Sequence, residues 1–163
     1  MIFDTLAEHP SPNIFWSLDR CLSYLQRVSG QATFHCALRP REDEEECLNE
    51  LAEKVFEMGN ICFAVEEAAW FSTAVSQPEG LDLLARMGRH RRVDLVWTSQ
   101  RIAEVARRLT SATDIFVIFS LTEPRDLQAL AERCGPDVAD RVQALGLHGR
   151  IVYDVLKAKM VSV

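Results

Sequence analysis

The stretch NICFAVEEAAWF, residues 60–71, places a run of five apolar residues, Ile61 to Val65, directly before two adjacent carboxylates. A short apolar run bounded by polar residues predicts a buried β-strand. In open parallel sheets, ligands bind outside the carboxyl ends of the strands. Glu66 and Glu67 are therefore candidate site residues, and they need not share one role because successive strand side chains point to opposite faces. The alternative is a strand that simply ends in solvent with acidic residues on it.

Helical and strand patterns alternate on both sides of this stretch. Apolar residues at helical spacing predict helices within residues 16–30, 42–60, 79–89, 101–109, 123–135 and 136–145. Apolar runs predict further strands at residues 1–5, 32–38, 93–100, 114–121 and 149–155. Apolar strands that alternate with amphipathic helices predict an α/β fold, with a mostly parallel sheet flanked by helices on both faces. The length of 163 residues suits a single domain, residues 1–163.

The composition predicts an ordinary soluble protein, with 48% hydrophobic and 26% charged residues. No basic segment leads into an apolar run at the N-terminus, and no window approaches the roughly 18 apolar residues of a membrane span. We therefore expect a cytoplasmic location and no membrane partner. The five cysteines form no Cys-x-x-Cys pair, which predicts reduced, mostly packed thiols rather than a disulfide framework.

The isolated histidines and the tryptophans carry no evident site. His9, His35 and His148 lack metal-ligand spacing, which predicts packing or surface positions for them. We expect the three tryptophans to lie in the core rather than to stack on bases.

Charge is unevenly distributed. The net charge of −6 argues against a general nucleic-acid surface, because sequence-independent affinity comes from neutralising phosphates. Two short segments are nevertheless rich in arginine, and their guanidinium groups are candidates for contact with phosphate, with DNA or with a neighbouring subunit. A solvated basic loop is the alternative. These candidates are Arg89, Arg91, Arg92, Arg107 and Arg108.

A second apolar strand also ends in polar residues. The stretch VDLVWTSQR, residues 93–101, ends in Thr98, Ser99, Gln100 and Arg101. A glutamine at the carboxyl end of a neighbouring strand can hydrogen-bond a water or a phosphoryl oxygen. A polar strand end without function is the alternative, but the two strand ends together are more specific than either alone.

These residues resemble the P-loop NTPases of the HerA and FtsK group, in particular Zot-like and phage-encoded ATP-binding proteins. The resemblance covers essentially the whole chain. IFDT, residues 2–5, is similar to the strand after the P-loop helix; GNICFAVEEA, residues 59–68, to the Walker B strand; and residues 88–130 to the segment with the polar sensor and the last core strands. It implies a RecA-like core, ATP and Mg²⁺ as cofactors, and a role in ATP-driven DNA packaging or translocation.

The resemblance also implies roles for single residues. Glu66 takes the place of the metal-associated acid, Glu67 that of the glutamate that polarises water, and Gln100 that of the sensor glutamine. Among the arginines, Arg89, Arg107 and Arg108 take positions for phosphate contact across a subunit interface or for DNA contact, and Arg91 and Arg92 are candidates for DNA contact.

Two departures from the family pattern bear on mechanism. Nucleotide binding in this family needs a glycine-rich loop with Lys and Ser/Thr, but the lysines, Lys54, Lys157 and Lys159, follow no glycine. The family's first strand and P-loop are thus missing from the sequence, and we do not expect the chain to bind ATP by itself. Glu66 stands where the family has Asp. A carboxylate moved outward by about one C–C bond fits the octahedral geometry of Mg²⁺ less well.

The missing strand would also leave a gap in the sheet. The resemblance puts that strand between the one ending at Glu66 and the one ending at Gln100, so that two inner edges would be unpaired. Direct pairing of the two strands, insertion of another segment or subunit, or a longer parent protein would resolve this. We expect the isolated chain to rearrange or self-associate.

Two hypotheses of function remain open at this point. The chain is either the NTPase-like part of a DNA motor whose P-loop comes from elsewhere, or a degenerate, non-catalytic structural or interaction domain. Without phosphate-binding N–H groups there is little to offset desolvation of a triphosphate, which favours inactivity for the chain as given.

Overall fold

The computed structural model describes residues 1–161. The chain divides into two compact units, Met1–Gln100 and a second that begins at Arg101. Each unit contains its own β-sheet. The single-domain organisation expected from the length stays a prediction.

The first unit is a parallel α/β structure. Its elements are β1 (Ile2–Phe3), β2 (Ile14–Phe15), α1 (Leu18–Val28), β3 (Ala37–Leu38), α2 (Glu44–Met58), β4 (Ile61–Val65), α3 (Glu79–Met87) and β5 (Val93–Trp97), with short 3₁₀ turns at Ala68–Trp70 and Gly88–Arg91. The strand order is β2-β3-β1-β4-β5, and every neighbouring pair is parallel. The predicted α/β class with a mostly parallel sheet is confirmed.

Strands β4 and β5 pair directly, without a strand between them. The pairing runs from Ile61 opposite Val93 to Val65 opposite Trp97, and β1 occupies the other side of β4. Of the three resolutions left open by the sequence, the structure has direct pairing: two apolar runs of equal length satisfy each other's backbone groups along five residue pairs, and no inner edge is unpaired between them. In this sheet, β5 and β2 are the two edge strands.

One face of strand β4 is buried in the core of the first unit. Ile61, Phe63 and Val65 are buried, whereas Cys62 between them is exposed, as the alternation of strand side chains requires. The ring of Phe3 packs edge-to-face on that of Phe71, with centroids 5.5 Å apart. Helix α2 contributes a stripe of buried residues at helical spacing, Leu48, Leu51, Ala52 and Val55.

The second unit contains an antiparallel sheet that the sequence patterns did not predict. Its elements are a 3₁₀ turn (Ile102–Glu104), α4 (Arg107–Ser111), β6 (Ile115–Phe119), α5 (Pro124–Cys134), α6 (Pro136–Gln143), β7 (Arg150–Asp154) and β8 (Lys159–Val161). The strands pair in the order β6-β7-β8. The helix predicted over residues 101–109 is interrupted, because the Asp126 carboxylate accepts hydrogen bonds from Arg101 Nε at 2.7 Å and from the Ala103 N–H at 2.9 Å.

Two predictions about side chains have different outcomes. All five cysteines are free, as predicted, and Cys21, Cys36 and Cys134 are buried. The tryptophan prediction is wrong for Trp16 and Trp70, which are 49% and 56% exposed. Within residues 1–161, no helix is both long and apolar enough to cross a lipid bilayer.

Candidate functional site

The backbone changes direction at Glu67, and this ends strand β4. The Glu66 N–H still donates to the Phe3 carbonyl at 3.1 Å, which continues the parallel pairing with β1. Glu67 has φ 47° and ψ 57°, in the left-handed region, and the 3₁₀ turn of residues 68–70 follows it. A non-glycine residue in this region costs about 1–3 kcal/mol and persists only where its surroundings hold it.

The residues that follow β5 hold Glu67 in place. The Glu67 N–H donates to Thr98 Oγ1 at 3.2 Å, and the Ala68 N–H donates to the Thr98 carbonyl at 2.8 Å. Glu67 Oε1 accepts hydrogen bonds from Ser99 Oγ and from the Gln100 N–H, both at 3.2 Å. The Glu67 side chain is therefore fixed at the adjoining ends of β4 and β5, and the contact with Gln100 is made by the backbone of that residue.

Glu66 faces a different group of residues. Its Oε2 accepts a hydrogen bond from the Leu6 N–H at 3.0 Å, and its Oε1 lies 2.9 Å from His9 Nε2. Glu66 is 8% exposed. The two adjacent carboxylates thus have separate surroundings, as the alternation of side chains along a strand predicts. His9 lies at the surface, with 45% of its side chain exposed, but its contact with Glu66 means that it is not isolated.

Asp4 completes this second group, although the sequence analysis did not select it. Its side chain is fully buried and accepts hydrogen bonds from Arg39 Nε at 2.7 Å and from the backbone N–H groups of Glu8 and His9 at 3.2 and 3.3 Å. One ligand atom each of Asp4, His9 and Glu66 lie within 4.8 Å of one another. Its position in the sequence could have identified it, because Asp4 directly follows the apolar strand β1 just as Glu66 follows β4.

Arg39 keeps the Asp4 carboxyl ionised. Burial raises the pKa of Asp4, but hydrogen bonds with Arg39 and Glu66 and the positive charge of Arg39 outweigh it, so that the pKa lies below its ordinary value. Asp4 is consequently a carboxylate at neutral pH, with a fixed guanidinium on one side.

The predicted arginines lie in two places. Arg89 and Arg91 belong to the 3₁₀ turn of residues 88–91, and Arg92 follows it with φ 56°. The Arg91 guanidinium donates to the carbonyls of Phe56 and Glu57 at 3.1 and 2.5 Å, so it caps the C-terminus of α2. The other two candidates, Arg107 and Arg108, lie in α4 of the second unit. Contact of these five arginines with phosphate or DNA stays a prediction.

A shallow cleft of about 630 Å³ lies at the N-termini of α2 and α3. None of the candidate residues lines it. Its lining is strongly acidic, which disfavours an anionic ligand such as a nucleotide. The carboxylates of this lining belong to Asp43, Glu44, Glu45, Glu46 and Glu79.

The described residues do not fit a complete site for ATP and Mg²⁺. Lys54 and Lys157 are paired with acids, Glu57 at 2.9 Å and Asp154 at 2.7 Å, and neither lies on a glycine-rich loop. We therefore assign no phosphate-transfer step to this chain alone.

Comparison with known proteins gives structural matches only. No protein-family model and no curated protein matches the chain. The genome packaging NTPase B204 of Sulfolobus turreted icosahedral virus 2 matches in its complex with AMPPCP, with TM-score 0.77 and 17% identity over 98% of this chain and 78% of the other. Its complex with sulfate gives TM-score 0.78 and 16% identity, over the same shares of the two chains, 98% and 78%.

A related structure gives the same result. The DNA-packaging ATPase B204 of Sulfolobus turreted icosahedral virus matches with TM-score 0.66 and 16% identity, over 91% of this chain and 78% of the other. At this identity the similarity establishes the architecture and not the activity. The chain therefore has the fold of these viral packaging NTPases.

Proposed function

We propose that this chain is the NTPase-like part of an ATP-driven DNA packaging or translocation motor, and that it does not bind ATP by itself. The observation that carries the proposal is the fixed position of Glu67 at the adjoining ends of β4 and β5. It occurs within a fold shared with two viral genome-packaging NTPases. A strained backbone held by several hydrogen bonds is typical of a functional position.

In the complete motor, Glu67 would polarise the attacking water, and Gln100 would hydrogen-bond a water or a phosphoryl oxygen, according to which is present. The two hydrogen bonds that Glu67 Oε1 accepts leave Oε2 as the oxygen that would accept a proton from water. A glycine-rich phosphate loop, which the 163-residue sequence does not contain, would come from another segment or another polypeptide.

The first experiment is isothermal titration of ATP with Mg²⁺ into the purified chain, with light scattering for its mass. We expect no heat of binding, because no phosphate-binding loop is present to offset desolvation of the triphosphate. Saturable binding at millimolar or lower ATP concentration would contradict this part of the proposal.

The second experiment uses a longer protein in which a segment with a phosphate loop precedes Met1. We expect this protein to hydrolyse ATP, and Glu67→Gln to lower hydrolysis at least 100-fold while ATP binding is retained, because general-base catalysis contributes about 10²–10⁴-fold. The matched control is Glu50→Gln on the exposed face of α2. Equal rates for Glu67→Gln and the control would remove Glu67 from the mechanism.

A second function, a non-catalytic interaction domain, is favoured by a separate observation. Glu67 is only 7% exposed, and both oxygens of Glu66 are engaged within the chain. Carboxylates of this kind can stabilise a strand end without any catalytic role. Absence of hydrolysis in the longer protein, together with intact folding and ATP binding, would support this function.

We further propose that the arginines after α3 contact DNA. Arg91 caps α2, so its removal would affect stability and DNA binding together. The informative variant is therefore Arg89→Ala/Arg92→Ala, compared with Arg107→Ala/Arg108→Ala in the second unit. We expect the double variant that removes phosphate contacts to bind DNA more weakly than the parent protein. Its slope of log K against log salt concentration should also be smaller. Unchanged binding in both double variants would exclude these contacts.

A further inference from the structure

We propose that Asp4, His9 and Glu66 form a binding site for a divalent transition-metal ion of the zinc class. The site includes Glu66, for which the family resemblance implies contact with Mg²⁺, but it adds Asp4 and His9 as ligands and does not depend on the proposed motor function. It joins the loop after β1 to the end of β4, on the opposite side of the Glu66–Glu67 pair from the Ser99 contact.

The distances between the donor atoms are close to those of a metal site. Ligands at about 2.0–2.2 Å from a tetrahedral zinc ion lie roughly 3.4 Å from one another. His9 Nε2 and Glu66 Oε1 are 2.9 Å apart, and one ligand atom from each of the three residues lies within 4.8 Å of the others. Small side-chain rotations would bring all three donors to an ion, which would replace the hydrogen bond between His9 and Glu66.

The two carboxylates are already oriented by the surrounding chain. Arg39 Nε donates to Asp4 Oδ2 at 2.7 Å, and the Glu8 N–H donates to Asp4 Oδ1 at 3.2 Å. The Leu6 N–H donates a hydrogen bond to Glu66 Oε2, and the other carboxylate oxygen, Oε1, faces the imidazole of His9. Hydrogen bonds of this kind orient metal ligands, and they reduce the entropy lost when an ion binds.

The charge balance at the site favours a cation. Two acidic residues, both less than 9% exposed, lie in contact with each other, and Arg39 pairs with Asp4. Carboxylates that share a buried site repel each other when both are ionised, and a bound cation removes that cost. The His9 side chain is 45% exposed, so an ion can enter beside it and keep water as a further ligand.

The donor set selects the class of metal. An imidazole nitrogen with two carboxylate oxygens suits Zn²⁺, Co²⁺ or Mn²⁺, whereas Mg²⁺ and Ca²⁺ prefer oxygen ligands alone.

The test is titration of the metal-free protein with Zn²⁺ and, separately, Co²⁺. Because the exposed thiol of Cys62 could bind zinc, the background carries Cys62→Ser. We expect one ion to bind per chain, and bound Co²⁺ to show a visible absorption band typical of nitrogen and oxygen ligands. The melting temperature of the protein should rise with metal concentration. Mg²⁺ at the same concentrations should leave the melting temperature unchanged.

Two variants identify the ligands. We expect His9→Ala to weaken Zn²⁺ and Co²⁺ binding at least 10-fold, whereas the matched control His35→Ala, an exposed histidine in the same unit, leaves affinity unchanged. His9→Gln keeps a hydrogen-bond donor for Glu66 and preserves the fold, but it should lose the same affinity. Absence of metal binding, or binding that both His9 variants retain, would overturn the proposal.

Discussion

At the scale of single residues, Glu67 shows how one side chain depends on another strand. Its left-handed backbone is supported by the hydroxyl of Thr98, which accepts the Glu67 N–H at 3.2 Å. This contact keeps the carboxylate directed at Ser99 and Gln100. The position of the candidate catalytic group therefore rests on a threonine that has no catalytic role itself.

Thr98→Val should lower the free energy of unfolding by about 1–2 kcal/mol, because the Glu67 N–H loses its hydrogen-bond acceptor while the shape of the side chain is kept. Urea denaturation measures the change. Thr33→Val, at an exposed loop position, is the control and should change stability by less than about 0.5 kcal/mol. A Thr98→Val protein as stable as this control would show that the hydroxyl does not support the turn.

Asp126 has a comparable part in the second unit. It is 1% exposed and binds both Arg101 Nε and the Ala103 N–H. We expect Asp126→Ala to lower the free energy of unfolding by about 3 kcal/mol, since a backbone donor and a guanidinium lose their acceptor together. Glu123→Gln, whose side chain is 51% exposed, should have little effect in the same measurement. Equal losses of unfolding free energy in the two variants would show that the burial of Asp126 does not determine its contribution to stability.

At the scale of secondary-structure elements, helices α2 and α3 approach closely at a glycine. The Gly80 N–H donates to Asn49 Oδ1 at 2.8 Å, so a side chain of α2 caps the first turn of α3. A Cβ atom at Gly80 would lie 2.4 Å from the Asn49 carbonyl oxygen. Real Cβ atoms do not approach backbone oxygens this closely, so the helices would have to separate.

Gly80→Ala should consequently lower the free energy of unfolding by about 2–3 kcal/mol, despite the better helix propensity of alanine. The control is Gly146→Ala, where an added Cβ meets no atom within 4 Å. Thermal or urea unfolding of the two variants measures the difference. A neutral Gly80→Ala would mean that α2 and α3 separate at little cost.

The turn between β7 and β8 should make stability depend on pH. Hydrogen bonds from the Lys157 side chain and backbone N–H lower the pKa of Asp154 below its ordinary value of 3.8. Since the native pKa is the lower one, Asp154 stabilises the fold above about pH 4, and this contribution is lost as the pH falls through the native pKa.

Asp154→Asn should therefore be less stable than the parent protein at pH 7, and the difference should shrink at pH 3 and below. Urea midpoints at both pH values provide the measurement, and Asp140→Asn, an exposed acid of α6, controls for the loss of one negative charge. A difference in stability that stays constant with pH would show that the ion pair between Asp154 and Lys157 does not cause the pH dependence.

At the scale of the whole molecule, apolar strand residues are left exposed in the second unit. In β6, Ile115, Val117 and Phe119 are 58%, 55% and 57% exposed, whereas Phe116 and Ile118 are buried. Exposed apolar residues in a row on one strand face are typical of an interaction surface. The self-association expected from the sequence thus has a candidate surface.

Sedimentation of the purified chain should show species larger than a monomer, with a fraction that increases with protein concentration. Val117→Lys should shift the distribution toward monomer, because a charge in an apolar contact opposes association. Gln128→Lys, which adds the same charge at an exposed position of α5, is the control. A monomer at all concentrations would exclude self-association.

The local pattern of the sequence determined the strands, the helices and the ends at which site residues occur. The apolar run of residues 61–65 requires burial, and carboxylates directly after it need hydrogen-bond partners if they are buried too, so Glu66 and Glu67 were identifiable without a structure. The same reasoning located Gln100 at the end of β5. Short strands escaped it, since β2 has only two residues and too little pattern to recognise.

Only the tertiary structure decided which strands are neighbours and which distant groups meet. Direct pairing of β4 with β5 depends on backbone hydrogen bonds, which every sequence offers alike, so the sequence pattern left it as one of three alternatives. His9 and Glu66 are separated by 57 residues, and Asp4 and Arg39 by 35. Spacing along the chain carries no sign of such contacts, because they arise when the parallel order of the strands brings several carboxyl ends to one edge of the sheet.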